Sequence, residues 1–219
     1  MRTVTLNGHI RMTPTRVAPA PQAANQRRLT QRGRERRAQL MEYAAQRFAE
    51  KGYHPTSVAE IVQGMEVGKG VFYWYFSSKE ELFLEILKDA QTSLRRRQQS
   101  AIGDEVDPIK RIELGMRASM AWLSEHRHLY TLFQFAVSEE RFATVLRRGQ
   151  DVAVADVIPH VKEGMVAGRI RDVDPQVLAH AILGVTNHLA RIFIFERGEP
   201  PGQVADAAVS FCLEGLLVT

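Results

Sequence analysis

The sequence predicts an all-α protein in which an N-terminal three-helix head is joined to a larger C-terminal helical domain. Two short segments of helical periodicity, separated by a glycine-containing turn, lie between residues 56 and 79. From residue 108 onward, apolar residues recur at spacings of three and four. The 219 residues, of which 45% are hydrophobic and 25% charged, suffice for one or two domains with a core.

The N-terminal residues 1–32 are predicted to form a flexible basic arm, because they contain three prolines and no periodic apolar pattern. Residues 1–37 hold nine Arg and one Glu, a net charge of +8, whereas the rest of the chain holds 20 basic and 24 acidic groups, a net charge of −4. This asymmetry favours a polyanionic partner for the arm, the alternative being a soluble extension. Met12 is a possible internal start.

The composition also indicates the cellular compartment of the protein. The single cysteine, Cys212, rules out an intramolecular disulfide and suits a reducing cytoplasm. The first 22 residues lack the continuous apolar core of a secretory signal. No uninterrupted apolar run approaches the ~20 residues that a membrane span needs. We therefore expect a cytoplasmic protein without a membrane.

The first helix is predicted over residues 34–51, with Leu40, Ala44 and Phe48 on one face and Gly52 at its end. Tyr53 is expected in the core of the head.

The second helix of the head is predicted to start at Thr56 or Ser57, with Glu60 completing a capping box with Ser57. Gly64 is expected to end this helix in the left-handed conformation. A third helix then carries Val67 and Val71 inward. Together the two helices form a helix-turn-helix, whose second helix is suited to enter the major groove of DNA.

Side chains on the third helix are the candidates for reading DNA. Tyr73 and Trp74 are favoured as contacts, because large aromatic groups are costly on a solvated face without a partner. Lys69 is expected to contact a base edge or a phosphate, and Gly70 to allow close backbone approach. The side chain of Val71 is expected either to pack in the core or to contact a thymine methyl group. For Phe72 and Tyr75, packing in the core and contact with DNA are equal alternatives.

The segment from Arg47 to Phe83 resembles the DNA-binding domain of the tetracycline-repressor (TetR) family. Its motifs are Phe-x-x-x-Gly-Tyr at a helix end, Thr-Ser-Val-x-x-Ile, Gly-Lys-Gly-x-Phe-Tyr-x-Tyr-Phe, and Ser-Lys-Glu-Glu-Leu-Phe. Specific motifs cover residues 33–85, and Gly68 departs from the Ser or Thr frequent in the family. The resemblance implies that the start of the first helix lies near the DNA backbone. The candidate DNA contacts are Arg36, Arg37, Thr56, Ser57, Lys69, Gly70, Val71, Tyr73, Trp74 and Lys79.

The fourth helix is predicted to begin after Ser77 and Ser78 and to connect the head with the rest of the chain. Lys79 in its first turn opposes the helix dipole, which favours a nearby phosphate over a merely solvated lysine. The domain boundaries are accordingly placed at 33–85 for the DNA-binding head and 86–219 for the effector-binding and dimerisation domain. The arginines at 95–97 are interpreted as a solvated helix end.

Further helices are predicted over 108–125, 129–137, 140–167 with Pro159 kinking or splitting it, 175–195 and 203–217. The last two are apolar over more than one face, which indicates burial on two sides. We therefore predict a homodimer in which the two helices of each subunit form a four-helix bundle, as the resemblance also implies. Such a dimer would hold two DNA-binding heads at the spacing of the two half-sites of a palindrome.

A hydrophobic effector is predicted for the C-terminal domain, where methionines and aromatic residues could line a cavity and a few polar groups could orient a ligand. The alternative is a packed core with a polar group at an interface. The candidate ligand residues are Met116, Met120, Trp122, Phe133, Asn187, His188 and Arg191. Similarity to TetR-like regulators of fatty-acid metabolism suggests an acyl chain or acyl-CoA.

The sequence predicts a ligand-responsive repressor released from a palindromic operator, and the rival hypothesis is a non-specific nucleoid-type DNA binder that uses the arginine-rich arm. An enzyme is not expected. The Gly68-Lys69-Gly70 run lacks the spacing of a phosphate loop, and no hydrolase or metalloprotease motif occurs. His126 and His128 are two residues apart, which on a helix points them to different faces. No cofactor, metal site or catalytic residue is predicted.

Overall fold

The computed structural model describes residues 29–216, and over these residues it contains nine α-helices and one π-helical segment. This confirms the all-α class. The elements are α1 (Gln31–Lys51), α2 (Val58–Gly64), α3 (Lys69–Tyr75), α4 (Lys79–Ile102), α5 (Pro108–Glu125), α6 (Arg127–Ser138), α7 (Glu140–Val166), α8 (Pro175–Leu189), the π-helical segment (Ala190–Glu196) and α9 (Pro201–Leu216). Most of the predicted basic arm, with Met12, lies outside the described residues. We call α1–α3 the head and α5–α9 the body.

Side-chain caps fix most of the helix starts. Thr30 accepts a hydrogen bond from the amide of Gly33, so α1 begins three residues earlier than predicted. Ser57 and Ser78 cap α2 and α4 in the same way. The predicted capping box is only half formed, because the carboxylate of Glu60 accepts its hydrogen bond from Lys51 instead.

The turn between α2 and α3 differs from the prediction. Gly64 is still helical, and the left-handed residue is Glu66, with φ of 53°. The glycine at position 64 has another role, since a Cβ atom there would overlap the hydroxyl end of the Tyr43 ring on α1 unless that side chain moved. Gly64 therefore allows α2 to approach α1 closely, and Glu66 makes the turn.

Two apolar clusters hold the chain together, and one of them crosses from the head into the body. The head cluster contains Phe48, Phe72 and Phe83, and it also contains Leu132 of α6 and Phe142 of α7. The second cluster lies among α4, α5, α7, α8 and α9. Because α4 runs without a break through both, the boundary proposed between residues 85 and 86 falls inside one helix.

Pro159 does not split α7, which is continuous from Glu140 to Val166. Pro159 and Ala155, whose carbonyl loses its usual helical donor, are both on the exposed face. Solvent can therefore satisfy that carbonyl, so the helix continues through the proline.

The segment Pro175–Glu196, which comprises α8 and the π-helical segment, has the length and composition of a membrane-spanning helix, although it contains no uninterrupted apolar run of that length. Among the described residues it is the helix that meets the criteria of length and composition, with 22 residues and a hydropathy of 1.4. Its polar interruptions, including His180 and Asn187, hide this in the sequence. Within the protomer 33% of the apolar window is fully buried, and the exposed residues of this helix include Val177, Ala181 and Gly184.

Candidate nucleic-acid interface and ligand cavity

Helix α3 presents two aromatic side chains to solvent and anchors itself with a third. Phe72 is fully buried in the head cluster, as is Phe76 just after the helix, which places Phe72 in the core. Tyr73 and Trp74 are 57% and 58% exposed. Tyr75 is half-buried. The packing of Phe72 and Phe76 thus fixes the direction in which Tyr73 and Trp74 point.

The remaining α3 candidates lie at its exposed start. Lys69 and Gly70 are exposed, and Val71 is half-buried. A Cβ atom at Gly70 would meet no atom within 4 Å, so the backbone faces open space there. Gly68 takes the cap position without a side-chain hydrogen bond, as its departure from Ser or Thr implies.

The two arginine candidates on α1 have different surroundings. Arg36 is exposed. Arg37 donates to the carboxylate of Glu85 at 2.8 Å and lies over the ring of Phe76, with 5.0 Å to its centroid. The guanidinium of Arg37 therefore joins α1 to α4, and its charge is already paired within the protein.

Thr56 is wrongly placed among the outward-facing candidates. It is completely buried, and its hydroxyl donates to the carbonyl of Gly52 at 2.8 Å. It therefore closes the loop between α1 and α2. Ser57 is exposed and caps α2.

The presence of Lys79 in the first turn of α4 is explained by contacts within the protein that the sequence did not indicate. Its ammonium donates to the carbonyls of Tyr53, His54 and Thr56, at 2.9, 3.3 and 2.9 Å. It also lies 4.3 Å from the ring centroid of Tyr53. Burial, followed by the charge of Arg141, lowers the pKa of Lys79. Three carbonyls of the preceding loop thus hold the ammonium of Lys79 at the start of α4.

Tyr53 links the head to the body, which goes beyond its predicted place in the head core. Its ring is 4% exposed and packs against Phe135 of α6 and Phe142 of α7, with centroid distances of 5.4 and 5.3 Å. Beside it, Nε2 of His54 lies 3.1 Å from Oε1 of Glu139 in the α6–α7 connection. The loop before α2 is therefore fixed to the body by an aromatic stack and a polar contact.

A cavity of about 350 Å³ opens between α4, α5, α7 and α8. Its walls are mainly aliphatic, and its polar groups come from all four helices. The lining residues are Arg95, Gln98, Gln99, Ile102, Gly103, Arg111, Ile112, Gly115, Met116, Ser119, Ala153, Asp156, Val157, His160, Ile182, Leu183 and Thr186.

Of the seven predicted ligand residues, the cavity includes Met116 and not the other six. Met120 and Trp122 are buried in the body cluster, and the indole of Trp122 donates to Ser93 at 3.2 Å. Phe133 is half-buried and packs against both clusters. Asn187 and His188 are exposed on the outer face of α8. The guanidinium of Arg191 donates to Glu196 at 2.7 Å.

The charged groups at the cavity are paired with one another. Arg95 makes two hydrogen bonds to the carboxylate of Asp156, at 2.5 and 2.7 Å, which join α4 to α7. Arg111 donates to Glu163 at 2.7 Å and to the carbonyl of Glu105. Neither guanidinium is left without an acceptor.

The lining includes one histidine, His160 of α7. Its Nδ1 atom is buried and has no hydrogen-bond partner. Burial is the main cause that lowers the pKa of His160, followed by the charge of Arg111, while Glu163 and Asp156 oppose the shift. The ring is therefore neutral near pH 7, with one nitrogen atom as a donor and the other as an acceptor.

The outer faces of α8 and α9 form a second candidate interface. Val177 and Phe211 are 56% and 67% exposed. A Cβ atom at Gly184 or at Gly215 would meet nothing within 4 Å. With Ala181 and Ala207, which are also exposed, these residues make an apolar face of small side chains around Phe211. We call this set the α8–α9 face.

Within residues 29–216, no group of three or more metal-ligating side chains comes together. His126 stacks on Trp122 with 4.4 Å between the ring centroids, and its Nδ1 lies 2.8 Å from the carbonyl of that residue. His128 lies instead 3.7 Å from Glu42 on α1.

Comparison with known proteins follows the same division into head and body. Residues 40–86 match the family model of bacterial regulatory proteins of the tetR family, and residues 105–216 match that of the tetracyclin repressor-like C-terminal domain. The transcriptional repressor DhaR of a Mycobacterium species is 29% identical over 185 residues, which are 83% of this chain and 92% of that protein.

Two solved structures agree with this result. The regulator PfmR from Thermus thermophilus superposes with a TM-score of 0.68 at 27% identity, over 80% of this chain and 97% of that one. The ketosteroid regulator KstR2 of Mycobacterium tuberculosis gives a TM-score of 0.62 at 26% identity, over 84% and 96%. Proteins of this family regulate transcription by binding DNA, are not enzymes, and typically act as homodimers with small-molecule effectors. With both of its parts matched, this chain belongs to the TetR family of transcriptional regulators.

Proposed function

We propose that this protein is a ligand-responsive repressor that binds a palindromic operator as a homodimer and is released by a hydrophobic small molecule. The observation that carries the proposal is the arrangement of α3, in which Phe72 is buried while Tyr73 and Trp74 face outward. Such exposed aromatic groups on a helix-turn-helix suit contact with a nucleic acid. The protein would act in the cytoplasm, where its DNA is.

The outward-facing residues of α3 are suited to contact different parts of the DNA. Lys69 can reach a base edge or a phosphate, and the hydroxyl of Tyr73 a phosphate. Trp74 can pack on sugar or on a thymine methyl group. The open backbone at Gly70 allows close approach of the helix to the groove. Arg36 and Ser57 add exposed polar groups at the starts of α1 and α2.

The α8–α9 face supports the proposed homodimer. Two copies of this face can bury Phe211 and Val177, and the glycines at 184 and 215 let the helices approach closely. This would also cover the exposed residues of the apolar helix Pro175–Glu196, of whose apolar window 33% is fully buried in the protomer. Two heads would then be held at a fixed spacing, as two half-sites of a palindrome require.

Helix α4 supports a route from the cavity to the head. Arg95 of α4 holds Asp156 of α7 at the cavity, and the same helix carries Phe83 in the head cluster. A ligand that changes the distance between α4 and α7 would therefore shift the head. To act as a switch, the ligand must favour the DNA-free arrangement by ~1–3 kcal/mol.

The proposal is tested by selecting fragments of the organism's genomic DNA with the purified protein and measuring affinity for the enriched sequence. We expect a palindromic site, bound at least a hundredfold more tightly than bulk DNA of equal length. Lys69→Ala and Tyr73→Ala should each weaken binding about tenfold, as expected for losing one contact of 1–3 kcal/mol. Lys162→Ala, an exposed lysine on α7, should leave it unchanged.

Equal competition by bulk DNA, with no enriched sequence, would support the non-specific nucleoid-type alternative and overturn the repressor proposal. Release of the operator is measured separately, by adding ligand to the preformed complex.

A further inference from the structure

We infer that the loop of residues 52–57, which we call the α1–α2 loop, responds to the relative position of α4 and α7 and passes the change to α2. The start of the helix-turn-helix would thereby sense a ligand in the cavity. This inference rests on the proposed ligand-responsive function and names the part of the head that changes. It adds a second route to the one along α4, because α7 reaches the head at a different place.

Helices α4 and α7 lie side by side from the head to the cavity. At the head, the ring centroids of Phe83 on α4 and Phe142 on α7 are 4.6 Å apart. At the cavity, Arg95 of α4 is hydrogen-bonded to Asp156 of α7. These two contacts are separated by about 18 Å along α4 and about 21 Å along α7, at 1.5 Å per residue. The helices are therefore parallel, and each is continuous between the two contacts.

The first turns of these two helices hold the α1–α2 loop between them. On the α4 side, the ammonium of Lys79 donates to three carbonyls of the loop. On the α7 side, the ring of Phe142 packs against Tyr53, with 5.3 Å between the centroids. Glu139, the cap residue of α7, also lies 3.1 Å from Nε2 of His54. A change in the relative position of the two turns would therefore strain the loop.

The α1–α2 loop in turn fixes the start of α2. Its last residue, Ser57, caps the helix by accepting a hydrogen bond from the amide of Glu60. The carbonyl of Ser57 also accepts from the amide of Ile61. The neighbouring Thr56 is completely buried, and its hydroxyl donates to the carbonyl of Gly52. Because these bonds hold the loop in one shape, a shift of the loop moves the first turn of α2 with it.

A ligand would act on the same two helices at their other end. Helix α7 contributes Ala153, Asp156, Val157 and His160 to the cavity lining. It runs without a break from these residues back to Phe142, which is completely buried in the head cluster. Close-packed interiors transmit strain. A displacement of α7 at the cavity is therefore carried to the turn that touches the α1–α2 loop.

The experiment uses a substitution in place of a ligand. Ala153→Phe introduces a ring into the cavity from α7, and the variant is studied as the full-length protein. We expect its affinity for the operator found by genomic selection to fall at least fivefold, the lower end of coupling between linked sites. Val152→Phe is the matched control, since Val152 is the preceding residue, is 44% exposed and is not part of the cavity lining. It should leave operator affinity unchanged.

A double-mutant cycle tests whether α7 carries the effect. Phe142→Leu keeps an apolar side chain but removes the ring that packs against Tyr53. Positions 142 and 153 are about 16 Å apart along α7. At such a distance, the effects of two independent substitutions on affinity multiply within about twofold. We expect the loss of operator affinity caused by Ala153→Phe to be at least threefold smaller in the Phe142→Leu background.

Two further cycles bracket this result. His54→Ala removes the contact with Glu139 and is the milder variant of the same link, so it should reduce the effect of Ala153→Phe in the same direction. Arg117→Ala removes an ion pair with Asp206 that joins α5 to α9. Its effect should simply multiply with that of Ala153→Phe.

Hydrogen exchange of the DNA-free protein gives a readout that needs no operator. In Ala153→Phe, the amides of Glu60 and Ile61 should exchange at least threefold faster, because both are bonded to Ser57. The amides of α9 should keep their rates, which separates a local change from a general loss of stability. If α9 also exchanges faster, the smaller Ala153→Leu replaces Ala153→Phe. Val152→Phe should leave both sets of amides unchanged.

The inference is overturned if exchange of the Glu60 and Ile61 amides is unchanged, if the effects of Ala153→Phe and Phe142→Leu multiply, or if Val152→Phe acts as Ala153→Phe does. If an operator is found and the effects multiply, the repressor proposal stands and the α1–α2 loop is not the route. If no operator is found while exchange changes as expected, the repressor proposal fails and the link between cavity and loop stands.

Discussion

Replacement of Tyr53 by alanine should destabilise the head and the body together. The ring is 4% exposed and has aromatic neighbours on α1, α4, α6 and α7, with centroid distances between 4.9 and 5.4 Å. Truncating a buried aromatic side chain costs about 3–5 kcal/mol, from lost apolar burial and from the cavity left behind. For a chain of this size, that corresponds to a fall of roughly 6–20 °C in the unfolding midpoint.

The assay is urea unfolding at fixed protein concentration, since dissociation of a dimer makes the midpoint depend on concentration. Far-UV circular dichroism follows all helices. Tryptophan fluorescence follows Trp74 in the head and Trp122 in the body. In the unchanged protein, both signals should give one coincident transition, because the head cluster includes residues of α6 and α7.

Tyr53→Phe is the matched control, because it keeps the ring and its packing, and it should lose less than about 1 kcal/mol. The reasoning is refuted if Tyr53→Ala also loses less than about 1 kcal/mol. It is equally refuted if the circular dichroism and fluorescence transitions of the unchanged protein do not coincide.

Three further predictions concern the dimer, the helix-turn-helix and the response to acid. Phe211→Glu places a charge in the α8–α9 face, so sedimentation should show a monomer, whereas we expect the unchanged protein to sediment as a dimer; a dimeric variant would exclude this face. Gly64→Ala should lower stability by about 1–3 kcal/mol through overlap with Tyr43, and in a Tyr43→Ala background the same change should cost clearly less. The hydrogen bond with His54, followed by the charge of Arg141, lowers the pKa of Glu139, so its contribution to stability is fully present above the ordinary value of 4.5 and is lost as the pH falls below it. Glu139→Gln should therefore make the free energy of unfolding, measured by urea titration, depend less steeply on pH between about pH 5 and 3. An unchanged dependence on pH would contradict this.

The helices could be predicted well from the sequence, because helix formation depends on residues that are close together in the chain. Spacings of three and four gave the amphipathic faces, and the caps at Ser57 and Ser78 gave two helix starts. The fold class followed from these patterns, and the family from the resemblance of the motifs between Arg47 and Phe83. The uncertainty over Phe72 arose because a helix of seven residues offers too few turns to define its buried face.

The cavity was not predictable in the same way, since it depends on how four helices are rotated against one another. Methionine and aromatic residues suggested a lining, yet Met120 and Trp122 fill the core. A weak signal did exist. Arg95, Gln98 and Ile102 recur along one face of α4 at helical spacing, and this face lines the cavity. The partner of Arg95 on α7, Asp156, lies 61 residues further along the chain, and no local pattern connects the two.

Lys79 and Thr56 illustrate a second limit. A lysine in the first turn of a helix looks unfavourable when only its own helix is considered. The three carbonyls that stabilise Lys79 belong to residues 53–56, and only the folded loop brings them together. In the same loop, the hydroxyl of Thr56 turns inward to Gly52, which residue type alone does not reveal.

The aromatic stack between the loop before α2 and helices α6 and α7 has a consequence for protein engineering. Regulators of this kind invite construction of chimaeras, in which the reading module of one protein is grafted onto the sensing module of another. Here a cut made only at α4 would separate Tyr53 from Phe135 and Phe142 and leave a hole at the graft. A working chimaera would have to carry matching rings on both sides of the junction, so these three positions should be exchanged as one unit.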